Sequence, residues 1–79
     1  MPMVLIFQGY RFSFFAADCK ERMHLNIRKD DKYVKIWLDT VEIHKNYGFT
    51  NQEINFIEST ILENLNYILE KWEEFCYEV

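Results

Sequence analysis

"RMHLNIRKDDKYVKIWLD", residues 22–39, alternates apolar and polar side chains on both sides of an Asp30-Asp31 pair. Alternation of this kind has the period of a β-strand, and two such runs joined by two turn-forming residues define a hairpin. With Asp30 and Asp31 as the loop, Ile27 faces Val34, Leu25 faces Ile36 and Met23 faces Leu38. All three pairs are apolar and share one face. The opposite face pairs Arg28 with Tyr33, Asn26 with Lys35 and His24 with Trp37, and Arg22 stands across from Asp39. A slip of one residue would mix the two faces, so the pattern selects a register. It predicts a sheet with one buried face and one open face.

The rest of the first half reads in the same period. "MVLIFQ" (3–8) and "YRFSFFA" (10–16) are rich in β-branched and aromatic residues, with Gly9 placed for a tight turn. The predicted strands are 3–8, 10–16, 22–29 and 33–39. Residues 39–47, "DTVEIHKNY", fit either a further strand or a short helical turn, and Gly48 ends them. Thr50 and Glu53 then have the spacing of a capping box. From there Ile54, Ile57, Ile61, Leu65, Ile68, Trp72 and Phe75 recur at steps of three and four, which predicts a helix over 51–77. Phe56 and Tyr67 fall on the opposite side and are expected to be exposed. A straight helix of that length measures about 40 Å, against about 19 Å for the width of four strands. Its last turns are expected to overhang the sheet and meet a partner. The fold class expected is α+β, a single domain over 1–79: an antiparallel meander of about four strands with one long C-terminal helix packed on one face.

Composition sets the outer bounds. The chain of 79 residues is 49% hydrophobic and 18% aromatic, with two Gly and one Pro, which suits one densely packed small domain. Cys19 and Cys76 fit no metal-ligand spacing and could make at most one bridge, and they are read as two reduced thiols of a cytoplasmic protein. The start "MPMVLIF" lacks the basic region of a signal peptide, and no segment approaches a membrane span. Charge is unevenly placed. Residues 1–50 hold eight Lys/Arg against six Asp/Glu, and residues 51–79 hold one Lys against seven Glu. A mildly basic half permits contact with nucleic acid without demanding it.

The open face is where function is sought. It carries His24, Asn26, Arg28, Tyr33, Lys35 and Trp37, joined by Arg11, Ser13 and Phe15 if the second strand shares that side. Cations interleaved with rings suit phosphates and stacked bases, and equally suit an ordinary solvated sheet with cross-strand cation–ring pairs. Trp37 favours an interface, since Trp is a common anchor there. His24 is the one candidate catalytic residue, as a general acid or base with Arg28 and Lys35 against developing negative charge. No Ser–His–Asp spacing, HExxH, glycine-rich phosphate loop or paired-carboxylate signature is present. His24, His44, Cys19 and Asp18 share no ligand spacing, so neither metal nor cofactor is expected.

"GYRFSFF" (9–15), "MHLNIRKDDKYVKIWLD" (23–39), "NYGFTNQE" (46–53) and "EKWEEF" (70–75) together resemble the small prokaryotic family called domain of unknown function 4160. The resemblance spans roughly residues 3–76. It implies a component of a toxin–antitoxin pair, because such domains commonly lie beside another small uncharacterised protein. The family pattern has a proline-rich approach to an H-x-H strand. Here the approach is "CKERM", His24 matches the first histidine and Asn26 stands in place of the second. A two-histidine mechanism is therefore not expected, whereas a binding role survives the change.

The chain is expected to be a cytoplasmic protein acting by binding, of toxin–antitoxin type as the resemblance implies, with the toxin side favoured by its basic, histidine-bearing face. The expected binding residues are Asn26, Arg28, Tyr33, Lys35, Trp37 and Arg11. The expected partner is a small cognate protein or a second copy, with RNA as an additional ligand and no membrane. Two alternatives stand beside it. One is a metal-independent ribonuclease-type toxin using His24, and the other is a stand-alone inhibitor or adaptor.

Overall fold

Gln8 and Gly9 both take positive φ, 50° and 85°, which is the backbone that a two-residue type I′ hairpin turn requires. They join β1 (Met3–Phe7) to β2 (Tyr10–Ser13). The computed structural model describes residues 3–14 and 19–77, without the side chains of Met3 and Tyr77. Phe15, Asp18 and the end of the strand expected over 10–16 lie outside the described residues. The second hairpin comprises β3 (His24–Lys29) and β4 (Lys32–Trp37), turning at Asp30 with φ 56°. Its register is the one the alternation selects: Ile27 opposite Val34, Leu25 opposite Ile36, Arg28 opposite Tyr33, Asn26 opposite Lys35 and His24 opposite Trp37. Beyond the strand ends, the Leu38 amide donates to the Met23 carbonyl at 3.0 Å, and Arg22 Nε pairs with Asp39 at 2.8 Å.

The ambiguous stretch after Asp39 is a fifth strand, β5 (Glu42–Tyr47), on the far edge of a sheet ordered β1-β2-β3-β4-β5. Its pairing with β4 shifts register between Lys35 and Ile36, because Lys35 faces Lys45 while Ile36 faces Ile43. His44 is the extra residue of that bulge. An interrupted alternation is why the segment does not read cleanly as a strand. The sheet therefore has five strands, not four.

The helix also departs from expectation. It is two helices, α1 (Asn51–Glu63) and α2 (Leu65–Tyr77), broken at Asn64. The Asn64 amide takes the Ile61 carbonyl three residues back, at 3.1 Å. Two side chains also bond back to the helix: Thr60 Oγ1 donates to the Phe56 carbonyl at 2.9 Å, and Asn64 Nδ2 to the Thr60 carbonyl at 2.8 Å. Such back-bonding competes with the helical ladder and bends it. A straight helix of about 40 Å would exceed the longest dimension of the molecule, 35 Å.

The start of α1 is built as read. Thr50 Oγ1 accepts from the Glu53 amide at 3.2 Å, and Glu53 Oε1 accepts from the Thr50 amide at 3.0 Å. The Thr50 amide first, then the Lys32 ammonium at 3.0 Å, hold the Glu53 carboxyl below the usual carboxylate range. A lowered folded-state value means this group stabilises the fold above its unfolded-state pKa. That contribution is lost as pH falls through the folded-state value. Thr50→Ala is expected to lower stability by about 1 kcal/mol. Glu53→Gln is expected to flatten part of the acid-side loss in urea unfolding series run at stepwise pH.

Phe12, Phe14, Leu25, Ile27, Val34, Ile36 and Leu38 from the sheet side meet Ile54, Ile57, Ile61, Ile68 and Trp72 from the helices, all of them buried. Leu65 is only half-buried, because the break at Asn64 turns it away from full burial. Phe56 is not the free ring expected. It stacks on Phe7 at 5.7 Å and tilts on Tyr10 at 5.2 Å, filling the space under β1, whereas Tyr67 is exposed. The end of α2 does not overhang. Trp72 meets Phe14 edge-on at 5.0 Å, Phe75 lies 6.3 Å from the same ring, and Cys76 is bonded to Cys19. The reading of two reduced thiols is thus corrected. The two cysteines are 57 residues apart in sequence, yet the fold brings their Cα atoms to 5.3 Å, within bridging range. The bridge withdraws the support that free thiols lent to a cytoplasmic location. Among the described residues no helix is long and apolar enough to cross a membrane.

Candidate ligand-binding face

The face turned away from the helices is organised in rows, because side chains directly opposite on neighbouring strands point the same way. One row crosses all five strands: Ile6, Arg11, Arg28, Tyr33 and Tyr47. At about 4.8 Å per strand it is about 19 Å long. Arg28 lays its guanidinium over Tyr33, 4.6 Å from the ring centre, and Tyr33 stacks on Tyr47 at 6.0 Å with planes 19° apart. The Tyr33 hydroxyl donates to Asn26 Oδ1 at 2.6 Å. The ring is thus held at its edge and on both faces. Tyr47, 57% exposed, presents the open ring of the stack. Arg11, Arg28 and Lys45 are exposed, and among the described residues no carboxylate pairs with any of them.

The second row is Ser13, Asn26, Lys35 and Lys45. Asn26 is only 3% exposed, with Nδ2 donating to the Ser13 carbonyl at 3.5 Å and Oδ1 accepting from Tyr33. Lys35 lies along the face with its ammonium 3.4 Å from Glu21 and 5.1 Å from the Trp37 ring centre. Asn26 therefore belongs to the support of Tyr33 and is not a residue open to a ligand.

At the end of β3, His24 is 1% exposed. Its Nδ1 lies 2.8 Å from the Arg22 carbonyl, within hydrogen-bond distance. Trp37 meets the imidazole edge-on at 5.8 Å and Trp72 of α2 lies at 5.9 Å. A general acid or base must reach its substrate within hydrogen-bond distance, and this imidazole is enclosed by rings. Trp37 is not the exposed anchor expected. It is half-buried, with Arg22 over its ring at 4.7 Å, Lys35 at 5.1 Å and the His44 ring at 4.7 Å. Desolvation, then the Lys35 and Lys45 charges, lower the His44 pKa, which favours its neutral form. Cys19, considered among metal ligands, is tied up in the disulfide and offers no thiolate.

The expected residues therefore divide. Arg11, Arg28 and Tyr33 form the open row, Lys35 and Trp37 are clamped beside it, and His24 and Asn26 are buried beneath. Tyr47, Lys45 and Ile6 join the face without having been expected there. Tyr47 and Lys45 were hidden by the His44 bulge. Ile6 was legible in principle, since the Gln8-Gly9 loop places it opposite Arg11.

Fold and face together define a small α+β domain with a five-stranded antiparallel meander, one side covered by helices and the other bearing cations and stacked tyrosines on rigid strands. Residues 9–73 match the family model described as Domain of unknown function (DUF4160), and the chain belongs to that family. No curated protein and no solved structure matches the chain.

Proposed function

We propose that the protein acts by binding, as one component of a toxin–antitoxin-like prokaryotic pair, and that its cognate partner docks on the open sheet face along Arg11, Arg28, Tyr33 and Tyr47. The observation that carries the reading is the Arg28–Tyr33–Tyr47 stack with an exposed outer ring, flanked by cations that no described carboxylate neutralises. Rings fixed on strands lose little entropy when a partner covers them, and Tyr and Arg are the residue types that dominate interface energies. The enclosed His24 favours binding over ribonuclease chemistry. RNA is the second reading, favoured by the same stack, since a base can lie on Tyr47 while Arg11, Arg28 and Lys45 meet phosphates.

Purification from the native host, with identification of both bound protein and bound RNA, supplies the ligands to titrate. For a protein partner, Tyr47→Ala and Arg28→Ala weaken binding most and salt matters little. For single-stranded RNA, Tyr47→Ala costs about 1–3 kcal/mol. Arg11→Ala, Arg28→Ala and Lys45→Ala then each lower the salt slope by about 0.7 for every phosphate left without its cation. Unchanged binding of every co-purified ligand across these variants would leave the face as solvated sheet.

A further inference from the structure

The two edges of the sheet differ in chemistry. β5 carries Glu42, His44 and Lys45 and is bulged at His44. Charge and bulges are the devices that keep an edge strand from pairing with another chain. β1, Met-Val-Leu-Ile-Phe, carries no charge at all, alone among the seven described elements. A register shift between Met3 and Leu5 leaves Leu5–Phe7 as the regular part of that edge. On its outer side Ile6 is 60% exposed, and on its helix side Phe7 is exposed while resting on Phe56. Each face of the strand thus offers one uncovered apolar side chain beside a free backbone edge.

We infer that β1 is the interface with a second copy of this chain, pairing antiparallel with its counterpart about a two-fold axis normal to the sheet. The second copy is the occupant that the chemistry of the edge fits. A charge-free, apolar, extended segment is the matching partner for this strand, and among the described elements only another β1 supplies one. Self-pairing of this kind is isologous and closes at two subunits. Antiparallel pairing about that axis keeps like faces on the same side. Ten strands then form one sheet, and the two rows that begin at Ile6 run as one across it. The nearest like charges of the two different copies on that face, Arg11 and its symmetry mate, are separated by three strand spacings, about 14 Å. That exceeds the screening length of about 8 Å at physiological salt. The acidic helices of both copies lie together on the other side, so added salt relieves their repulsion and tightens the dimer. The inference is independent of what binds the outer face.

Sedimentation velocity over a concentration series tests it. The wild-type chain is expected to show a monomer–dimer equilibrium that strengthens with salt. Ile6→Lys, at an exposed edge position, is expected to stay monomeric with an unchanged circular-dichroism spectrum and the melt of dilute, monomeric wild type. Ile43→Lys on the β5 edge, 41% exposed in the wild type, is expected to dimerise as wild type does. A wild-type chain that is monomeric at the highest concentration would overturn the inference. So would an Ile6→Lys variant that dimerises normally. A dimer that dissolves in salt would point instead to the basic face of one copy lying on the acidic helices of the next. Should Ile6→Lys fail to fold, amide exchange of the wild-type chain decides the matter. Protection of Leu5–Phe7 that rises with concentration supports the interface, and protection independent of concentration refutes it.

Discussion

Loss of the Cys19–Cys76 bridge is expected to lower stability by about 4 kcal/mol, the figure the chain-entropy account assigns to a closed loop of this length. The bridge spans 57 residues of sequence and so restricts most of the unfolded chain. A domain of this size holds about 4–12 kcal/mol in all, and the reduced protein is left close to its threshold. Urea unfolding of the wild type, the wild type with reductant, and Cys19→Ser/Cys76→Ser checks this. The last two should coincide, with a midpoint well below the oxidised protein. Their m-values should be larger, since the uncrosslinked unfolded chain exposes more surface. A difference below about 1 kcal/mol would mean that the bridge does not constrain the chain as its span requires.

The bridge was not legible in the sequence, for a physical reason. Two cysteines with no ligand spacing carry no information about each other until a fold places them together. That placement depends on the break between α1 and α2 at Asn64, where the side chains of Thr60 and Asn64 bond to the helix backbone. Periodicity is blind to such bonds, because Ile61, Leu65 and Ile68 keep their steps straight through the break. The β3–β4 hairpin was legible residue by residue because two independent constraints, a two-residue loop and alternation on both strands, agree on a single register. β5 was not, because the His44 bulge removes the alternation that would have marked it. The candidate site inherits both outcomes. Arg11, Arg28 and Tyr33 follow from register alone. The burial of His24 comes from Trp72, a residue nearly fifty positions away that only the docking of α2 brings near. Tyr47, the exposed end of the stack, needed the fifth strand to be seen first.

Phe14→Ala is expected to cost about 3–5 kcal/mol, the range for truncating a fully buried Phe. The ring has no exposed surface and receives Trp72 edge-on at 5.0 Å and Phe75 at 6.3 Å. It is the seat on which α2 rests, and through Trp72 it also helps enclose His24. The bridge and this aromatic seat hold the same helix end by different means. The bridge acts on the unfolded chain, while the ring acts on packing in the folded one. If α2 stays seated without the bridge, the two effects add and Phe14→Ala costs the same with the disulfide closed as in Cys19→Ser/Cys76→Ser, whereas sites that share a helix end and come loose together couple by about 0.5–3 kcal/mol. The double-variant background is then expected not to fold once Phe14→Ala is introduced, so the comparison is made by extrapolation from stabilising osmolyte. A much smaller cost of Phe14→Ala without the bridge would mean that the reduced chain has already released α2. In that case Trp72 fluorescence, measured in a Trp37→Phe background, should shift to the red on reduction alone, well before the urea transition. If the fluorescence stays blue until global unfolding, the aromatic seat holds α2 without help from the bridge, and His24 stays enclosed in either redox state.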